Sequence, residues 1–118
     1  LNKKLTAPWC VIATPGHTPC DISLYCKKEK LIYLADLIIG LGKKYNTPYP
    51  LHQPKQYKDS IKLLTSMNIQ HYLLAHHGLH QISSKQLYSI VLKTPSLPNN
   101  HRYQFKKRLS PRSLTTTR

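Results

Sequence analysis

The sequence predicts an α/β fold of layered α+β type: a mixed β-sheet carrying two helices, followed by a disordered basic tail. Three observations lead there. Short apolar runs rich in β-branched and aromatic residues recur at 9–13, 22–26, 31–34 and 69–75. Apolar residues recur at helical spacing after Tyr57 and again around Leu87. Beyond Lys93 both patterns stop, and prolines, asparagines and cations take over.

The elements follow in order. Trp9-Cys10-Val11-Ile12-Ala13 reads as a strand that Pro15-Gly16 breaks. Ile22 to Cys26 and Leu31 to Leu34 read as the two arms of a hairpin around the polar turn Lys27-Lys28-Glu29-Lys30. Residues 37–54 read as an irregular loop, punctuated by Gly40, Gly42, Pro48, Pro50 and Pro54. Tyr57, Ile61, Leu64 and Met67 share one helical stripe, and Asn68 ends it. Ile69 to Ala75 is the next strand. Ser83 or Ser84 then caps a second helix, with Leu87, Ile90 and Val91 on its buried face. From about residue 95 too few apolar side chains remain to offset the entropy of ordering. The expected organisation is therefore an ordered unit over 1–94 and a disordered basic tail over 95–118.

The 118 residues allow one small domain with a modest core. The net charge of +14 is unevenly spread. Residues 1–59 hold nine Lys/Arg and all four acids, whereas 60–118 hold nine Lys/Arg and no acid. Such a surface either attracts polyanions, nucleic acid among them, or is a solvated basic tail with no partner. Of the three cysteines, Cys10 and Cys26 are expected to be buried thiols; Cys20, in the loop with His17, could approach a metal but is expected to be a buried or spectator thiol. No apolar run is long enough to span a bilayer, so no membrane partner is expected. No signal-peptide pattern follows Leu1, and a cytoplasmic location is the default expectation. A first residue other than Met is consistent with a start inside a longer reading frame.

Candidate chemistry concentrates where strands end. Trp9–Ala13 leads into Thr14-Pro15-Gly16-His17-Thr18-Pro19, Leu31–Leu34 into Asp36, and Tyr72–Ala75 into His76-His77-Gly78. Neutral imidazole and carboxylate are both ligands for zinc, and strand ends hold ligands on rigid elements. A lone loop histidine is ordinarily a surface residue, and a lone Asp after a strand is ordinarily a turn former. The recurrence of one context three times favours His17, Asp36 and His77 as a set of metal ligands. His76 is expected to point away, because successive residues of an extended segment face opposite sides. His52 and His80 read as solvated loop residues.

At these residues the sequence resembles the carboxy-terminal half of the metallo-β-lactamase-fold superfamily. The matching features are the Pro-Gly-His-Thr-Pro loop at 15–19, the hairpin from Ile22 to Leu34, Ala35-Asp36, Ser60-Ile61 on a helix, and His77-Gly78 after a strand. The resemblance implies half of an αββα sandwich, with one sheet face uncovered. It also implies that His17 ligates a first metal, that Asp36 bridges two metals, and that His77 ligates a second. Zinc is the implied metal, up to two ions in an intact member, with iron or manganese as alternatives. The implied activity is hydrolysis of an ester, thioester, amide or phosphodiester by zinc-bound hydroxide.

The departures matter as much. Cys20 and Ala35 stand where glycines are common, and the His-x-His-x-Asp-His motif of the family's first half has no counterpart among these residues. The chain alone is therefore expected to turn over little or no substrate, and association that completes the half-domain is the expected partnership. Two other readings stand beside this one. One is a non-enzymatic remnant whose basic tail, from Asn99 to Arg118, makes weak contact with nucleic acid. The other is a truncated gene product.

Overall fold

Alternating side chains build a five-stranded mixed sheet, described over residues 9–102 by a computed structural model of the chain. Its strands are β1 (Trp9–Ala13), β2 (Ile22–Cys26), β3 (Leu31–Ala35), β6 (His71–Leu74) and β7 (Gly78–His80), in spatial order β1-β2-β3-β6-β7. The remaining strands, β4 (Ile39–Leu41) and β5 (Lys44–Asn46), form a separate two-stranded ribbon. Helix α1 spans Pro54–Ser66 and helix α2 spans Ser84–Lys93. The basic residues from Tyr103 onward, and with them most of the predicted tail, lie outside the described residues.

The pairings set the directions. β1 runs antiparallel to β2, and β2 antiparallel to β3, so β1 and β3 point the same way. β3 pairs parallel with β6, and β6 pairs antiparallel with β7. The carboxyl ends of β1, β3 and β6 therefore share one edge of the sheet. The crossover between β3 and β6 carries the β4–β5 ribbon and α1, as a parallel connection requires.

One sheet face carries the core. Ile32 and Leu34 of β3 and Tyr72 and Leu74 of β6 point into it, with Tyr57, Ile61 and Leu64 from α1 and Leu87, Ile90 and Val91 from α2. Both helices match the sequence expectation, and both show the expected buried stripe. α1 starts three residues before the first residue of its stripe, because Pro54 occupies its first turn, where a missing N–H costs nothing. Ser83 caps α2: its hydroxyl accepts from the Gln86 amide while the Gln86 side chain accepts from the Ser83 amide.

Among the described residues, little packs on the opposite face over much of its area. Register places Trp9 and Val11 of β1, Ile22 and Leu24 of β2, Tyr33 of β3, and Leu73 and Leu79 of β6 and β7 on that side. Val11 is 66% exposed, Ile22 52% and Leu79 61%, although all three are strand residues of apolar type. A sheet face this apolar is ordinarily packed against another layer.

Several expectations are corrected. Cys10 is exposed, because β1 is the edge strand and little covers either of its faces; Cys26, between β1 and β3, is buried as expected. Segment 37–54 is not irregular throughout: the β4–β5 ribbon turns at Gly42, whose φ of +63° suits glycine, and Leu37, Ile38 and Leu51 are buried in the core. Disorder from residue 95 does not hold for the start of that segment. Asn99 and Leu51 exchange two backbone bonds, of 2.7 and 2.9 Å.

A tight junction seats α1 against the loop after β1. Gly16 has a φ of +148°, and a Cβ placed on it would lie 2.4 Å from Tyr57 Cβ and 2.5 Å from Tyr57 Cα. Tyr57 itself is fully buried and its hydroxyl donates to the Leu37 carbonyl at 2.7 Å. Burial pushes the Tyr57 hydroxyl far above its ordinary pKa, and burial also raises that of Tyr72.

This packing makes its own tests. Gly16→Ala should destabilise by about 3 kcal/mol, since the clash is with helix backbone and the φ is strained; the denaturant midpoint measures it. A Tyr whose folded pKa is raised contributes fully below its unfolded pKa, near 10, and less at higher pH, because only the unfolded state then loses its proton. Stability should therefore fall between about pH 10 and 12 by up to about 1.4 kcal/mol per pH unit from this group. Tyr57→Phe should flatten that slope, at a cost of about 1 kcal/mol at neutral pH for the bond to Leu37. Finally, Val11→Lys with Leu79→Lys should leave the melting temperature nearly unchanged while reducing binding of a hydrophobic dye; a large drop in melting temperature would mean that the face is packed.

Candidate functional site

The three strand ends identified from sequence do lie on one edge of the sheet. Neighbouring strands are spaced about 4.8 Å apart, so the end of β1 is two strands, about 10 Å, from the end of β3, and β6 is the next neighbour. His17 lies in the loop after β1, Asp36 directly after β3, and His77 in the turn after β6.

The loop that carries His17 is tied down on both sides. Thr14 donates from its amide to the Asp21 carbonyl at 3.0 Å, closing the loop across its base. The Asp21 carboxylate accepts from the Thr18 amide and the Thr18 hydroxyl, each at 2.7 Å. On the other side the Gln53 amide donates to the Gly16 carbonyl at 2.8 Å, and the Ser60 hydroxyl donates to the Pro15 carbonyl at 2.8 Å. The neighbours of His17 in Pro-Gly-His-Thr therefore each have a local structural role. The Pro15 carbonyl receives α1, Gly16 allows its approach, and Thr18 binds Asp21.

His17 is half-buried and its Nδ1 lies 2.5 Å from the Pro50 carbonyl oxygen. A carbonyl only accepts, so Nδ1 carries a proton, and in the neutral ring Nε2 keeps its lone pair. Orientation of an imidazole through one nitrogen, leaving the other available, is the arrangement found in metal-ligating histidines.

Asp36 follows a distorted strand end. The β3–β6 register shifts between Tyr33 and Ala35, and Ala35 has a φ of +50°. A left-handed alanine costs roughly 1 kcal/mol relative to the glycine that suits such a position. The Ala75 amide donates to the Ala35 carbonyl at 3.0 Å, bringing the ends of β3 and β6 together.

The histidine beside Asp36 is His76. Its Nε2 is 3.7 Å from Asp36 Oδ1, with the two side chains 78% and 49% exposed. The expectation that His76 points away rests on an extended backbone, whereas residues 75–77 form the turn between β6 and β7. His77 is half-buried, and its amide donates to the Leu74 carbonyl at 3.4 Å. Among the described residues no three His, Cys, Asp or Glu side chains are gathered as a metal-holding group. Cys20 is exposed in the His17 loop, its amide 3.3 Å from the Thr18 hydroxyl.

His80, expected to be solvated, is instead half-buried in β7 and bonded through both ring nitrogens. Its Nδ1 is 2.9 Å from the Tyr45 hydroxyl, and its Nε2 is 2.7 Å from the His77 carbonyl. The available sequence signal is the alternation across the turn, which pairs His80 with the buried Tyr72. His52 is exposed, as expected, with its Nδ1 3.1 Å from Asn100 Nδ2. No described helix is long and apolar enough to cross a membrane.

Comparison with known proteins places the architecture. No protein family and no curated protein matches the sequence. Among solved structures, an archaeal metallo-β-lactamase superfamily protein from Sulfolobus tokodaii superposes with a TM-score of 0.57 at 21% identity, covering 71% of this chain and 32% of its own. A metallo-β-lactamase family protein from Thermus thermophilus gives a TM-score of 0.60 at 16% identity, covering 86% of this chain and 32% of its own. The chain thus spans about a third of the length of either structure. The mixed sheet with its two helices is one part of a metallo-β-lactamase fold.

Proposed function

We propose that this chain is the carboxy-terminal half of a metal-dependent hydrolase, and that it carries a metal half-site made of His17, Asp36 and His77. The observation that supports this most directly is directional. Three strands end on one sheet edge, and each is followed by an imidazole or a carboxylate. In layered sheets, ligands bind outside the carboxyl ends of strands.

The donors do not fit a closed metal centre as they stand. No group of three is assembled among the described residues, and Asp36 pairs with His76. No catalytic step is therefore assigned to this chain, and we expect it to be inactive alone. The remaining ligands are proposed to come from further polypeptide. Zinc suits this donor set, and iron or manganese accepts the same atoms. An ester, thioester, amide or phosphodiester is the proposed substrate class, by likeness of fold.

The open face formed by Trp9, Val11, Ile22, Tyr33, Leu73 and Leu79 is proposed to receive the second sheet layer of the same fold, contributed by further polypeptide. The matched structures are more than twice as long as this chain, which leaves ample chain for such a layer. A second copy of this chain is the poorer occupant, because a net charge of +14 on each would repel.

Metal analysis of the purified chain tests the half-site. At most one ion per chain, lost on desalting, is expected, and His17→Ala, Asp36→Ala and His77→Ala should each weaken its binding by at least about tenfold. Two ions retained per chain would overturn the half-site reading, and three variants that bind like wild type would overturn the choice of residues. Hydrolysis of a simple thioester or phosphodiester by the metal-loaded chain at an enzymatic rate would overturn the assignment of inactivity.

A further inference from the structure

We infer that His80 is a positioning residue, which clamps the turn at 75–77 and so fixes the directions in which His76 and His77 leave β6. The inference extends the proposed function to a residue outside the proposed ligand set. It rests on that reading only for the use made of His77; the clamp itself needs no metal.

In the neutral ring the directions of the hydrogen bonds are forced. The His77 carbonyl can only accept, so the proton on the His80 ring sits on Nε2, which lies 2.7 Å from it. Nδ1 then has a lone pair and no proton, so the Tyr45 hydroxyl, 2.9 Å away, is the donor to it. The neutral ring has both nitrogens satisfied in one tautomer. The opposite tautomer would place a lone pair against the carbonyl.

Packing holds the ring where this network requires it. Tyr45 meets it edge-on, with centroids 5.4 Å apart and planes at 82°. Gly40 of β4 lies beside the ring: a Cβ there would crowd Leu74 Cδ1 at 3.3 Å and meet His80 Cε1 in ordinary contact at 3.5 Å. The β5 strand that carries Tyr45 is fastened to α2, where Lys93 Nζ donates to the Tyr45 carbonyl at 3.3 Å and lies 3.5 Å from Asn46 Oδ1. The chain of contacts therefore runs from α2 through the β4–β5 ribbon to the turn beside Asp36.

The turn is tied at its start, where the Ala75 amide donates to the Ala35 carbonyl at 3.0 Å, but less tightly at His76 and His77. Its own backbone bond, from the His77 amide to the Leu74 carbonyl, is long at 3.4 Å. His76 is largely exposed, and its approach to Asp36 is 3.7 Å. At 2.7 Å, the His80 bond to the His77 carbonyl is shorter than any of these three.

The test uses the full chain without metal. Nitrogen-15 NMR of the imidazoles at neutral pH should show His80 as the Nε2–H tautomer, and amide exchange should report the His77 N–H. His80→Ala should accelerate His77 exchange by about tenfold, the effect of losing one partly buried hydrogen bond. His80→Gln places an amide donor where Nε2 stood and should restore most of the protection, whereas His80→Leu fills the space without donating and should not. An Nδ1–H tautomer, or equal protection in the Leu and Gln variants, would overturn the inference. If His77→Ala leaves metal binding unchanged, the proposed half-site fails while the clamp stands on its own readouts.

Discussion

The close approach of Gly16 to the first turn of α1 is the constraint on which the rest of the structure depends. A Cβ at Gly16 would sit inside the contact distance of Tyr57 backbone, so the loop after β1 and the helix meet with no side chain between them. That contact lets the Gln53 amide and the Ser60 hydroxyl reach the Gly16 and Pro15 carbonyls. It also buries Tyr57, whose hydroxyl reaches across to Leu37 at the exit of β3. Three segments distant in sequence are thus joined at one point: the His17 loop, the chain just beyond Asp36, and the start of α1. His17 is then oriented by Pro50, four residues before α1. The ends of β1 and β3 are held in relation to each other by a helix start rather than by direct contact between the candidate ligands.

What is legible from sequence follows from how each element is stabilised. β1, β2 and β3 declare themselves because period-two alternation and β-branched residues mark a half-buried strand. The helices declare themselves by an apolar stripe. The β4–β5 ribbon stays hidden because its strands are three residues each and Gly40 and Gly42 look like loop punctuation. One of those glycines is a turn, and the other packs closely on Leu74 beside His80. β7 escapes notice for the same reason of length, and with it the environment of His80. The exposure of Cys10 is not a local property, since an apolar strand at the sheet edge and one at its centre have the same pattern.

The candidate site divides along the same line. Which strands carry a donor is a local property, readable as an apolar run followed by His or Asp. Which histidine stands beside Asp36 is not, because it depends on whether the chain is extended or turning at 75–77. The turn brings His76 to Asp36 and leaves His77 anchored by its backbone. Ala35 adds a second nonlocal feature, a left-handed residue next to a register shift, where local strain sets the direction in which Asp36 leaves the sheet.

The bare face of the sheet links fold and function. Val11, Ile22 and Leu79 are apolar at strand positions where alternation calls for polar residues if that side met water. The helices already cover the other side, so the chain has the sequence pattern of a sheet buried on both faces and, among the described residues, one layer to do it with. The same shortfall is seen at the carboxyl edge, where donors are present but, among the described residues, do not close into a group of three. On the proposed reading, an uncovered apolar face and an unclosed set of ligands are one deficiency, expressed once in packing and once in coordination. A single additional layer, laid on that face, would bring its own strand ends to the same edge.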